Sequence, residues 1–281
     1  MKKENLSAWI KEMVVNHEGN RLTEEQAGDS GLAGLQLYEE PLVGFASAAD
    51  CLFEDYKKPE IVGPWYKGPG EWLPGAKTVI SIFFPFSAEI RESNRKDAVE
   101  PSMEWLFGRI EGQAFLNDAM KAIGEYVSAE EIGVCIPSLD SRFCSNAGGD
   151  GIEGYEAVSK GVFASNWSER HTAFACGLGT FGLSKGIITE KGMAGRLGSL
   201  IIDLEMEPDV RPYTEVYEYC SKCGACIKRC PVDAISLEEG KKHVPCNKWL
   251  VGTKERYAPR YGCGKCQVKV PCENRIPVKR A

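Results

Sequence analysis

Twelve cysteines occur in 281 residues, and eight of them lie in the last 62 positions. Residues 220–231 read CSKCGACIKRCP and residues 263–272 read CGKCQVKVPC, with Cys246 between them. Thiols at this density pair as disulfides, hold zinc, or hold iron–sulfur clusters. Zinc sites use two separated pairs of ligands. The run Cys220-x2-Cys223-x2-Cys226-x3-Cys230-Pro231 is instead the compressed spacing that wraps a cube of iron and sulfide, down to the terminal proline. Three thiolates at two-residue intervals take three corners of one cube, and the chain carries the fourth away to another. That crossing predicts two four-thiolate sets. Cys220, Cys223, Cys226 and Cys272 serve one [4Fe–4S] cluster; Cys230, Cys246, Cys263 and Cys266 serve the second. The interval Cys266-x5-Cys272 is longer than the usual two or three. Cys51, Cys135, Cys144 and Cys176 are scattered, as small buried hydrophobes are.

Composition supports a metal reading over disulfides. Hydrophobic residues at 43% and charged residues at 26% are ordinary for a soluble globular chain. The first 20 residues show no apolar h-region, and no stretch reaches the roughly 18 apolar residues of a membrane span. A cytoplasmic location, where disulfides are disfavoured, is the expectation. The net charge of −6 is uneven: residues 211–281 carry 15 Lys and Arg against 7 Asp and Glu, or +8, leaving −14 for the rest. Part of that excess is expected to offset anionic clusters through Lys222, Lys228, Arg229, Lys265 and Lys269. The remainder offers a face to an anionic partner.

The elements that must position these groups follow from periodicity. Leu6, Trp9, Ile10, Met13 and Val14 share one face of an N-terminal helix. The run Val79–Phe86 follows a Pro74-Gly75 turn and reads as a strand buried on both faces. Residues 101–128 read as one long helix, and IGVCIPS and GSLIIDLEME as further strands. Residues 147–154, AGGDGIEG, read as a flexible glycine-rich loop. The expected class is α+β: an α/β domain over 1–210 with its N-terminal helix, then a small two-cluster ferredoxin-like domain over 211–281 that the clusters themselves organise.

The succession CGLGTFGLSKGIIT (176–189), GRLGSLIIDLEMEPD (195–209) and the cysteine run resembles the epoxyqueuosine reductases and, more distantly, the reductive dehalogenases. WLPGAKTVIS and the long helix extend the resemblance over most of residues 35–275. It implies a nitroreductase-like domain that binds cobalamin and two [4Fe–4S] clusters that feed it electrons. It points to Gly177, Leu178, Gly179, Phe181, Gly182, Arg196, Gly198 and Ser199 as cofactor-binding residues. Glu169, with Arg170 and His171, lies nearest the implied pocket. The sequence departs from the family pattern at one place. An acidic residue is expected shortly before the Glu169-Arg170 pair, yet residues 163–168 read FASNWS. His171, Glu169 or the upstream Asp140 are then the candidate proton donors; Asp150 is a further substitute upstream.

The first functional expectation is a cobalamin-dependent reductase acting on a small or nucleoside-like substrate, fed by a low-potential donor such as ferredoxin or flavodoxin. The alternative is an electron-transfer protein or corrinoid reductase with no substrate of its own. The third is an epoxyqueuosine reductase whose basic tail contacts tRNA. The missing acid and the lack of a helical-repeat extension after the second cysteine set rank that reading last.

Overall fold

The computed structural model describes residues 1–146 and 163–278. The glycine-rich stretch 147–154, with Asp150, lies outside them. Helix α1 (Lys3–Asn16) buries Leu6, Ile10 and Val14, with Trp9 and Met13 packed partly against the same core. Strands β1 (Leu42–Ser47) and β2 (Thr78–Pro85) follow. Next come α2 (Ala88–Lys96) and the long α3 (Met103–Ser128). Ser102 caps α3, accepting a hydrogen bond from the Trp105 amide at 3.2 Å. The chain continues through β3 (Val134–Cys135), α4 (Glu169–Ala175), a β4–β5 hairpin (Gly179–Phe181 and Ile187–Thr189) and β6 (Gly195–Ile202).

Four strands form one antiparallel sheet in the order β1-β2-β6-β3. Every residue of β2 is buried. Its alternation sends Ile80, Ile82 and Phe84 into the core with α1 and α3, while Val79 and Phe83 pack on the side of α4. An uninterrupted apolar strand is more usual in parallel sheets. Here helices cover both faces of an antiparallel sheet, and the two-sided burial follows from that.

After residue 210 come α5 (Ala225–Lys228) and α6 (His243–Tyr257). Few apolar residues are buried here: Tyr213, Ala234, Ile235, Val268 and Val270. Polar contacts dock the segment instead. Glu273, buried, meets Arg95 at 2.5 Å and Arg91 at 3.8 Å. Gly264, with φ +67°, lies against the Trp105 indole so closely that an added Cβ would come within 2.0 Å of the ring. Lys265 corrects one sequence expectation. Its buried ammonium does not simply face a cluster; it donates to the Asn94 carbonyl at 2.9 Å and the Asp97 carbonyl at 3.1 Å. Arg229 joins it there. Cations on the orphan carbonyls that end α2 satisfy the negative end of its dipole.

Candidate functional site

The first thiol set lines one small cavity, of about 20 Å³, to which Cys220, Cys223, Cys226 and Cys272 all contribute. Cys272 therefore joins the three closely spaced cysteines despite its distance in sequence. Burial and the neighbouring thiols push Cys226 and Cys272 up to about 12. In the second set, burial first and then Cys266 and Cys246 raise Cys263 to about 11. Cys266 is raised by burial and by Cys246 and Cys230. Among the described residues, no three His, Cys, Asp or Glu side chains are close enough to grip a single metal ion. The first four sulfurs ring a space instead.

The hairpin explains the glycine-rich motif without an open cradle. At Gly179 a Cβ would sit 2.0 Å from the Ile188 carbonyl oxygen, so only glycine allows β4 and β5 to meet. Leu178 and Phe181 are buried with Phe83, Phe174 and Tyr213. Gly177 follows the end of α4, and Gly182 belongs to the wall of the first cysteine cavity. The hairpin also receives the incoming segment: the Phe181 amide donates to the Val216 carbonyl at 2.8 Å, and the Tyr219 amide to Thr180 Oγ1 at 2.8 Å. The residues expected to touch cofactor thus form a rigid wall beside Cys220–Cys226.

A different group converges at the start of α4. Among the described residues, neither of the buried Glu169 carboxylate oxygens makes a well-formed hydrogen bond, and the Ser199 hydroxyl is the neighbour that comes nearest to one. Burial raises its pKa to about 7, opposed only by the Ser199 hydroxyl. Ser199 is itself fixed by a 2.8 Å hydrogen bond from Trp167 Nε1. Arg170 is reached by solvent yet crowded by protein, and its pKa is lowered by that crowding and by Arg109. It also faces the thiols of Cys266 and Cys246. Arg196, on β6, is lowered to about 10 by burial, then by Arg109. Gly198 turns its bare face to Met120 on α3, which is a packing role.

The remaining candidates separate. His171 Nδ1 lies 2.7 Å from Ser168 Oγ, and the ring packs on Tyr56 and Phe181. Burial, then Arg170, lowers it to about 4, so the imidazole is neutral at physiological pH and carries no proton to give as an imidazolium. Asp140 pairs with Arg142 at 2.7 Å, and that guanidinium holds the carboxyl well below its usual range. An ionised, clamped carboxylate is the wrong state for an acid. Glu169 alone of the three holds a proton near neutrality.

Comparison with known proteins agrees with this arrangement. A 4Fe-4S binding domain matches residues 213–236. An epoxyqueuosine reductase of Listeria monocytogenes is 34% identical over 115 residues, covering 37% of this chain and 29% of that protein. A tetrachloroethene reductive dehalogenase of Desulfitobacterium hafniense is 38% identical over 71 residues, 25% of this chain and 13% of that one. The chain is related to epoxyqueuosine reductases and reductive dehalogenases. A solved epoxyqueuosine reductase, in complex with an epoxyqueuosine-modified tRNA-Tyr stem loop, shares the fold with a TM-score of 0.52 and 17% identity, covering 96% of this chain and 65% of that chain. The matched stretches are less than a third of these curated relatives' lengths.

Within this reductase-like chain, sequence reasoning missed Arg109, Gln113 and Tyr261. Arg109 lies over the Tyr261 ring at 4.4 Å, and Gln113 holds Arg196. A signal was there. Arg109, Gln113 and Asn117 recur every four residues along a helix that already has a charged solvent face through Glu104, Glu111, Asp118 and Glu125, so they form a second polar stripe.

Proposed function

We propose that this chain is an iron–sulfur reductase that passes electrons through two [4Fe–4S] clusters to a corrinoid, cobalamin, held in a recess that we place beside Glu169 and Arg170. The observation that carries the reading is Glu169, whose two buried oxygens make no well-formed hydrogen bond among the described residues although burying unsatisfied polar groups is unfavourable. Such atoms are expected where a ligand completes the site. The amide-fringed edge of a corrin fits this donor set, with Arg170 and Lys185 available to hold it and Glu169 to meet a donor. A nitroreductase-like arrangement of the sheet and helices is the corresponding fold reading.

When bound, the corrinoid supplies low-potential cobalt chemistry that no side chain can supply. The chain's own contribution is proton supply and position. Glu169, protonated for part of the time near pH 7, is the proton source in this reading. Neutral His171, tied to Ser168 and stacked near Phe181, fixes the wall behind it. The eight cysteines hold the clusters, and exposed Cys223 marks the side a low-potential donor such as ferredoxin or flavodoxin approaches. The substrate is a small or nucleoside-like molecule.

Anaerobic reconstitution tests the metal content: about eight irons per chain are expected for two cubes. A value near four, or stoichiometric zinc, removes the two-cluster reading. Cobalamin added to the loaded protein should bind and change its visible spectrum; no change removes the corrinoid. A second reading, reduction of epoxyqueuosine in tRNA, is favoured by the names of the relatives and by the +8 tail. Supplying epoxyqueuosine-containing tRNA with reduced donor and cobalamin decides between them: efficient conversion to queuosine establishes the second.

A further inference from the structure

Arg91, Arg95, Arg142, Arg211, Arg256 and Arg260 each reach a carboxylate. Among the described residues the other six arginines reach none; of these, Arg109, Arg170 and Arg196 stand close enough to repel one another. Lys185 and Lys241 add cationic character around Arg170. Arg170 has an obvious counter-charge, since it faces Cys246 and Cys266. Among the described residues no carboxylate lies beside Arg109 or Arg196; their polar neighbours are Tyr261 for both, with Tyr38 and Gln113 for Arg196.

These two guanidiniums are also aimed. Arg196 donates to Gln113 Oε1, and Gln113 in turn donates to Asn117 Oδ1 at 2.8 Å. That amide relay along α3 fixes one edge of Arg196 and leaves its others for a ligand. Arg109 lies over the Tyr261 ring, and its buried Nε has no hydrogen-bond partner among the described residues. Like charges brought together, desolvated and oriented destabilise the empty fold, and an anion between them reverses the sign. Planar guanidinium forks match the oxygens of a phosphate.

We propose that Arg109 and Arg196 form a clamp for a phosphate group carried by the ligand of this recess. The site itself stands on the arginine geometry; only the ligand's identity rests on the corrinoid reading above. The phosphate has two sources, the phosphodiester of cobalamin's nucleotide arm or a phosphate on the substrate. A nucleoside-like substrate would then enter as a nucleotide.

Calorimetry with inorganic phosphate on the anaerobically reconstituted chain tests the clamp. Wild type binds phosphate, and Arg196→Gln and Arg109→Gln each weaken it about ten- to hundredfold, the loss of one charge-assisted interaction. Lys121→Gln, a surface change beside Asp118, leaves binding unchanged. Gln113→Leu keeps both charges and removes only the orientation of Arg196; it weakens binding by a smaller factor and carries the test if an arginine variant loses its iron. Saturation with cobalamin, but not with cobinamide, which lacks the phosphodiester, abolishes phosphate binding if the cofactor fills the clamp. Phosphate binding that persists beside bound cobalamin assigns the clamp to the substrate. Arg196-dependent phosphate binding without any cobalamin binding keeps the clamp and discards the corrinoid. No phosphate binding, or equal affinity in Arg196→Gln and wild type, overturns the proposal.

Discussion

Cys223 is open to solvent at the rim of a cavity walled by the β4–β5 hairpin, whereas Cys266 lies deeper and shares its surroundings with Arg170. The two cysteine sets use the same residue type at similar spacing, and their settings differ in what can reach them. A partner protein can approach the first set through exposed Lys222, Val216 and Tyr217. Beside the second set stands one arginine, Arg170. In the proposed reading that difference gives the chain a direction, with a macromolecule on one side and a small molecule on the other.

Single serine substitutions probe that direction with the largest expected effects. Cys266→Ser removes about half the iron, abolishes turnover and alters ligand binding in the recess. Cys226→Ser also removes about half and abolishes turnover, yet leaves recess binding as in wild type. Iron analysis with calorimetry reads both. Equal loss of recess binding in the two variants breaks the comparison.

Glu169→Gln is next. Turnover falls about 10²–10⁴-fold, the usual worth of a positioned acid, while iron content holds. Its pH signature has a definite sign. Folding raises the carboxyl pKa from 4.5 to about 7, so the folded form prefers the proton. The resulting penalty is absent below 4.5, grows as pH rises through that window, and is complete above about 7. The melting temperature of wild type therefore falls relative to Glu169→Gln between those limits. Parallel curves would show that the carboxyl is not buried as described.

Glu273→Gln is a stability test of the rim. It leaves Arg91 and Arg95 facing a neutral amide and destabilises by about 3 kcal/mol, the low end for a broken buried pair because Arg95 is partly in solvent. Denaturant unfolding measures it, and the first iron set should be lost before the second. Lys222→Glu is the mildest change. Reduction by an acidic donor slows several-fold at low salt, and the difference shrinks as salt screens it. Stopped-flow mixing reads the rate; an unchanged rate moves donor docking away from Cys223.

The cysteine spacing carried most of the site into view, because ligand geometry is a local property of the chain. α1, β2 and α3 were legible for a related reason: Leu6, Ile10 and Val14, or the apolar run from Val79, repeat with the period of their element. The antiparallel pairing of Thr78–Pro85 with Gly195–Ile202 was not, since register depends on residues more than a hundred positions apart. The packing demand on Gly179 was not legible, because it comes from the Ile188 carbonyl across the hairpin, which spacing does not reveal. Lys265 was read as a counter-charge to a cluster because the helix end it satisfies belongs to α2, far back in the chain.

The cavity lined by Cys220, Cys223, Cys226 and Cys272 also sets an order of assembly at the ribosome. Its first three ligands leave the exit tunnel together, but its fourth is translated 46 residues after Cys226, behind every cysteine of the other set. The set nearest the surface in the finished protein is the last that nascent synthesis can complete.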